Sequence, residues 1–438
     1  MQITDRLALI WGAASFAGAG AQTMARFTGL PAVVLLLAVG LLLGHAGLDW
    51  IQPEILGRGL EPLVGLLVSL VLFDGGLKLR LAGRELQRSV LQLVVVRSLL
   101  GFTGAALLAY WLTGLDVSLS LVYAAIALAT GPTVVTPLVQ EMRLDPSMGS
   151  LLEAEGLILE PVGAVLALLL LQLAIGNLDS WTDVLSRLLL RLGAGVAAGC
   201  LAGLLLSLLL SRLPPAPAQE PAEAATASAT ATASAPAATT PISEGAPVAC
   251  SPPFDGLPLQ LSLGVLFLLF SGCEAVLPES GFPAAVSAGV VVGLRQEYAA
   301  TELDRAIRQL AMLAITVLFP LLAADVSWSE LSPLGLGGVA CVLGLTLVRS
   351  LVVFLAGLGL PSLDWREKLL VSWVAPRGIV TAAVASLFAL QLDAAGVAGA
   401  GSLKGLVFLT ILITVGLQGF TAPWLARRLG LSGATPAP

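Results

Sequence analysis

Three carboxylates, Glu153, Glu155 and Glu160, stand in the run Gly149-Ser-Leu-Leu-Glu153-Ala-Glu155-Gly156-Leu-Ile-Leu-Glu160-Pro161-Val-Gly163, and the residues from there to Leu170 are almost wholly aliphatic. If this run crosses a membrane, at least one acid lies at membrane depth. A charge there costs at least ~2.5–3.5 kcal/mol and persists only facing a cavity or a partner. Glu160 is the best placed, with aliphatic residues on both flanks. On a helix turning about 100° per residue, Glu153 and Glu160 share a face, whereas Glu155 sits roughly 140° from Glu160. One helix can therefore show one acid to a cavity and another to a structural partner. A carboxylate that holds either a proton or a cation, but not both, couples two ion flows by competition.

The rest of the chain must supply that depth. Of its 438 residues, 57% are hydrophobic and 11% charged, far from a soluble globular composition. The reading is an all-α, polytopic membrane protein whose first partner is the lipid bilayer. The net charge of −6 carries no information on orientation, and no feature points to nucleic acid. Cys200, Cys250, Cys273 and Cys341 lack paired spacing and His45 is the single histidine, so no metal chemistry or cofactor is expected. With Asp5 beside Arg6 and no basic leader, the N-terminus reads as a first span and not a cleaved signal.

Apolar runs long enough to span predict about thirteen helices. Two contain breakers. The fifth reads Ala129-Thr130-Gly131-Pro132-Thr133 with Pro137 beyond, and the twelfth reads Val374-Ala375-Pro376-Arg377-Gly378. Proline and glycine remove backbone hydrogen bonds, and irregular backbone at that depth is tolerated only against protein or a cavity. The segment 213–257, rich in Ala, Thr, Ser and Pro, reads as a disordered cytoplasmic linker. It separates an N-terminal membrane half, 1–212, from a C-terminal half, 258–428, with a short tail at 429–438. Counting six spans at the start of the chain and six after the linker, each break is the fifth of its six. Matched interrupted helices in two halves point to a transporter's binding site, and an odd offset inverts one half against the other.

Most loop Lys and Arg fall on one side: Arg26, Lys78, Arg80, Arg84, Arg88, Arg143, Arg212, Arg295, Arg305, Arg308, Arg366, Lys368, Arg427 and Arg428. Only Arg6, Arg58, Arg187 and Lys404 fall on the other. Positive charge favours the cytoplasm, so the C-terminus is expected inside and the N-terminus outside a cell (inner) membrane.

At Thr130-Gly131-Pro132, Glu155-Gly156-Leu-Ile-Leu159-Glu160 and Arg377-Gly378 the chain resembles the bacterial NhaP-type branch of the monovalent cation/proton antiporters. In that family the broken fifth helix carries Thr-Asp-Pro, the sixth Glu-Ser-x-x-Asn-Asp, and a late helix Arg-Gly. Here Gly131 stands for the Asp, Leu159 for the Asn and Glu160 for the final Asp. The resemblance implies exchange of Na⁺, K⁺ or Li⁺ for protons, an inverted-repeat fold and a homodimer. It implies a cation at Glu160 and Thr130, with Gly131 and Gly156 in the site, and a structural ion pair between Glu155 and Arg377. Phe73-Asp74-Gly75-Gly76 is similar to the family's acidic-Gly-Gly motif, with Asp74 a bundle residue, a gate or a ligand. Glu153 is expected near the helix entrance, in water or as an accessory group.

Other readings stay open at this point. Glu160 could be a buried acid that only ties helices together, and the Thr-Gly-Pro break could only shape packing. A solute symporter of similar fold would need room for an organic substrate, against which the aliphatic surroundings of Glu160 speak. A transport-inactive membrane sensor would fit Gly131 and Leu159. An intramembrane enzyme is not supported, since the chain has no GxGD, HExxH or Ser/His arrangement.

Overall fold

The computed structural model describes residues 3–28, 30–53, 60–79, 84–178, 180–212, 256–295, 300–358 and 363–432. The linker expected at 213–257 falls, up to residue 255, outside them, as do Arg58, Arg80 and the end of the tail. Among the described residues the chain is helical, with a lone β-bridge between Leu144 and Ser432. Within those residues, seven helices are long and apolar enough to cross a membrane by length and composition.

The first bundle takes α1 (Ile3–Thr28), α2 (Ala32–Leu43) and α3 (Leu60–Lys78) from the start of the chain. From the middle it takes α9 (Trp181–Ser211), α10 (Leu257–Val276), α11 (Gly281–Arg295) and α12 (Ala300–Ala324). Its helices approach closely because small residues remove the obstacle. A Cβ on Gly199 would meet the Ala284 carbonyl at 2.2 Å, and one on Gly289 would meet the Phe73 carbonyl at 2.4 Å. Thus α11 is clasped between α9 and α3.

A second bundle starts with α4 (Arg84–Val96), a π-helical segment (Arg97–Gly101) and α5 (Phe102–Thr113). It continues with α6 (Val117–Leu128), α7 (Pro132–Met142) and α8 (Pro146–Ala174). Its later helices are α13 (Trp328–Leu331), α14 (Gly335–Gly357), α15 (Trp365–Trp373), α16 (Ile379–Ala394) and α17 (Ala400–Leu429), with a 3₁₀ turn at Ser332–Leu334. Packing therefore interleaves the two sequence halves, and most contacts lie within a bundle; across a thinner boundary α8 meets α9 and α11, and α2, α3 and α12 meet α7, α8, α16 and α17.

Both expected breaks are present. The chain leaves helix geometry between α6 and α7 at Ala129–Gly131 and between α15 and α16 at Val374–Gly378. The breaks touch, with Gly131 N donating to Pro376 O at 3.2 Å. α17 holds the second one: Gln418 Oε1 accepts from Ala375 N at 2.9 Å and Thr414 Oγ1 from Arg377 N at 3.3 Å. The backbone N–H groups of Gly131, Ala375 and Arg377 at the breaks are thereby paired inside protein, as the low-dielectric interior demands.

Candidate functional site

α8 carries all three acids of the central run and lies in the second bundle against α6, α7 and α4. Their angular offset decides their partners. Glu155, 1% exposed, is gripped from two sides: Arg97 Nη1 donates to Oε1 at 2.5 Å, and Arg349 Nη1 and Nη2 donate to Oε1 and Oε2 at 2.6 and 2.9 Å. This corrects the expected pairing with Arg377. Arg349 sits inside α14 and Arg97 in the π segment, each facing the same side of α8, and together they engage both oxygens of Glu155.

Arg377 has another task. Its Nη1 donates to the Ala129 carbonyl at 2.9 Å, at the C-terminal end of half-helix α6. Arg349 does the same at the other break, where Nη2 reaches the carbonyls of Val371 and Val374 at 3.0 and 3.2 Å. A helix C-terminus carries roughly half a negative charge on unsatisfied carbonyls, so a cation there is stabilising. Each break thus has one arginine at the end of its first half-helix.

Glu160 lies on the other side of α8. It is 1% exposed, and neither carboxylate oxygen has a hydrogen-bond partner among the described residues. Pro161 follows it inside the helix. Lacking an N–H, Pro161 leaves the Leu157 carbonyl without its helical donor one turn before Glu160. One turn beyond, Gly163 lets α8 approach α6 so closely that a Cβ there would meet the Ala125 carbonyl at 2.9 Å. Ala125 belongs to the last turn of α6, whose carbonyls also lack intrahelical donors. Glu160 lies one turn before Gly163, so it is on the side of α8 that packs on the last turn of α6.

The remaining expected residues divide. Thr130 is buried and its hydroxyl accepts from Arg97 Nη1 at 3.3 Å, which draws it towards the Glu155 cluster. Gly131 and Gly156 are both buried, Gly131 at the crossing of the breaks and Gly156 within α8. Glu153 is half-buried beside the Thr136 hydroxyl, with Lys78, Asp74 and Arg308 as the charges around it. Asp74 is ion-paired by Lys78 through Oδ2, while its buried Oδ1 has no partner among the described residues. Glu153 and Asp74 therefore form a charged cluster two turns of α8 away from Glu160, on the face the two glutamates share.

Arg97 and Arg349, which hold Glu155, are residues that motif reading passed over. The signal was present, since each is an isolated arginine in an apolar run and an intramembrane charge demands a partner. At the N-cap of α8, outside the apolar run, hydrogen bonds from the Ser147 hydroxyl and backbone N–H hold the Asp145 carboxyl below its usual range.

The sequence matches the family described as "Sodium/hydrogen exchanger, transmembrane" over residues 12–242 and 255–428. Among solved structures, the fold is similar to that of the sodium proton antiporter MjNhaP1 from Methanocaldococcus jannaschii at pH 8. The TM-score is 0.77 at 22% identity, covering 98% of this chain and 99% of that one. An electron-microscopy map of the same antiporter gives a TM-score of 0.75 at 21% identity, with both chains fully covered.

Proposed function

We infer a mechanism for this chain, which belongs to the sodium/hydrogen exchanger family. It is a multi-pass membrane transporter and not an enzyme, and the ions it moves are substrates, with no cofactor involved. On our reading Na⁺ and H⁺ compete for Glu160, with K⁺ or Li⁺ as further cations to compare. The observation that carries this is the fully buried carboxylate whose two oxygens have no partner among the described residues. A bare charge there is costly, so either a proton or a cation must accompany it, and one leaves before the other enters. The freed carbonyls of Leu157 and the last turn of α6 supply further oxygens, with the break at Thr130 and Gly131 beside them.

Glu160→Gln keeps the size and cannot titrate, so cation-driven proton flux in vesicles should vanish while the protein still folds. Glu160→Asp should retain exchange with altered apparent affinity, since it keeps the acid and loses one methylene of reach. In the wild type the apparent cation affinity should weaken as pH falls, the signature of one shared site. Robust flux in Glu160→Gln would move the assignment to Asp74 or Glu153.

Grouping the broken pairs as single crossings, this reading has thirteen spans with the N-terminus outside a cell membrane and the C-terminus in the cytoplasm. It puts Cys250, in the segment joining α9 to α10, on the cytoplasmic side, and labelling by an impermeant thiol reagent in right-side-out membranes would refute it. A homodimer rests on the family resemblance, and cross-linking in the membrane tests it.

A further inference from the structure

Charged side chains flank α12 at both ends of the boundary between the bundles, and the two ends are built differently. Near its start, roughly 25 Å along the helix from Asp325, the charges are paired within their own bundle. Arg308 bonds Asp304 of the same helix at 2.7 Å, and Lys78 pairs with Asp74 inside α3. Glu153, on the other side of the boundary, has the Thr136 hydroxyl of neighbouring α7 beside it. These pairings survive if the bundles part at that end.

At the far end the partners come from across the boundary. Asp325, 8% exposed, accepts from the Ser386 hydroxyl of α16 at 2.5 Å. Lys404 Nζ of α17 lies 3.2 Å from Asp325 Oδ2 and donates to the Asp325 backbone carbonyl, also at 3.2 Å. Beside them Trp328 Nε1 of α13 donates to the Ala46 carbonyl, after α2, at 2.8 Å. The bundles cannot separate here without breaking these bonds.

Lys404 nevertheless has a second acid. Glu330 Oε1 lies 3.0 Å from Nζ, and Glu330 is seated on α17, where a Cβ on Gly405 would meet its carbonyl at 2.3 Å. If Asp325 withdraws, the ammonium keeps one carboxylate. Leaving a buried charge with no partner is strongly destabilising, and this arrangement avoids it. The Glu155 cluster, by contrast, lies wholly inside the second bundle and need not break when the bundles move. The connector from Asp325 to Trp328 limits the parting to about 10 Å when fully extended.

We propose that Asp325, Ser386 and Lys404 form a gate at this end of the boundary, closed in this structure and parted in each exchange cycle, with Glu330 holding Lys404 while it is open. The proposal rests on exchange by this chain and not on which acid carries the ion.

Asp325→Cys/Ser386→Cys puts two thiols in place of the bond, and Cd²⁺ clamps a thiolate pair. In proteoliposomes of the full chain, cation-driven proton flux by the double variant should be lost on adding Cd²⁺ and return with EDTA. The single variants and the wild type should keep their flux in Cd²⁺. Flux that continues while Cd²⁺ shields both thiols from maleimide overturns the proposal. A second measurement avoids the double variant. Ser386→Cys alone should react with a water-soluble maleimide faster during exchange than in choline buffer, and adding Glu330→Gln should slow that reaction. Equal rates in the two buffers, or no slowing by Glu330→Gln, overturn it as well.

Discussion

Glu155 and Glu160 are five residues apart on one helix and have opposite surroundings. Glu155 has every oxygen occupied by arginine, and Glu160 has none occupied. A buried pair broken by removing one partner costs ~3–5 kcal/mol, whereas a single hydrogen bond to a charged group is worth ~1.5–3 kcal/mol. Arg349→Ala strips Glu155 of two bonds and uncaps α15, while Arg377→Ala removes one carbonyl contact of α6. We therefore expect Arg349→Ala to lower thermal stability and expression more than Arg377→Ala. The reverse order, measured by Tm in one detergent, would contradict the partner assignment. The angular split between the two acids was legible in the sequence, because spacing on one helix fixes relative direction. The identity of the partner was not, because a lone arginine in an apolar run reveals its depth and not which neighbouring helix it faces.

Helices, as elements, were legible almost to their ends. The long aliphatic runs and both Gly/Pro breaks are where the composition puts them. The π segment at Arg97 was hidden, since no proline or glycine pair announces it before Gly101. Within α8, Pro161 has a consequence that spacing alone does not convey, since it frees the Leu157 carbonyl next to Glu160. Pro161→Ala restores an N–H and should raise stability by up to ~3 kcal/mol. It should also weaken apparent cation affinity in the flux assay. A stabilised variant with unchanged affinity would remove that carbonyl from the site.

At the scale of the whole molecule, the sequence halves and the packed bundles do not coincide. Sequence order showed two repeats with matched breaks, but contact between α3 and α11, or between α5 and α14, depends on pairings that no local pattern encodes. The boundary between the bundles carries its own polar tie. Asp325, just after α12, is bonded by Ser386 of α16 at 2.5 Å, and Lys404 of α17 lies 3.2 Å from it and 3.0 Å from Glu330. Because each bundle draws on both halves, residues 1–212 and 256–438 expressed separately should be unstable alone. Expressed together they should co-purify and recover exchange. Either piece proving stable and monodisperse alone would contradict interleaved packing.

Interleaving also sets a clock. Synthesis runs from the N-terminus at ~5–20 residues per second, so Glu155, with Arg97 already made, enters the membrane roughly 10–40 s before α14 delivers Arg349. During that interval Glu155 has a single arginine, the crossing partner of the first break has not been made, and α4–α8 wait as an unfinished bundle. The cell must shelter that intermediate for as long as the ribosome takes to reach the second set of helices, so codon choice and insertase residence time bear directly on the yield of this transporter.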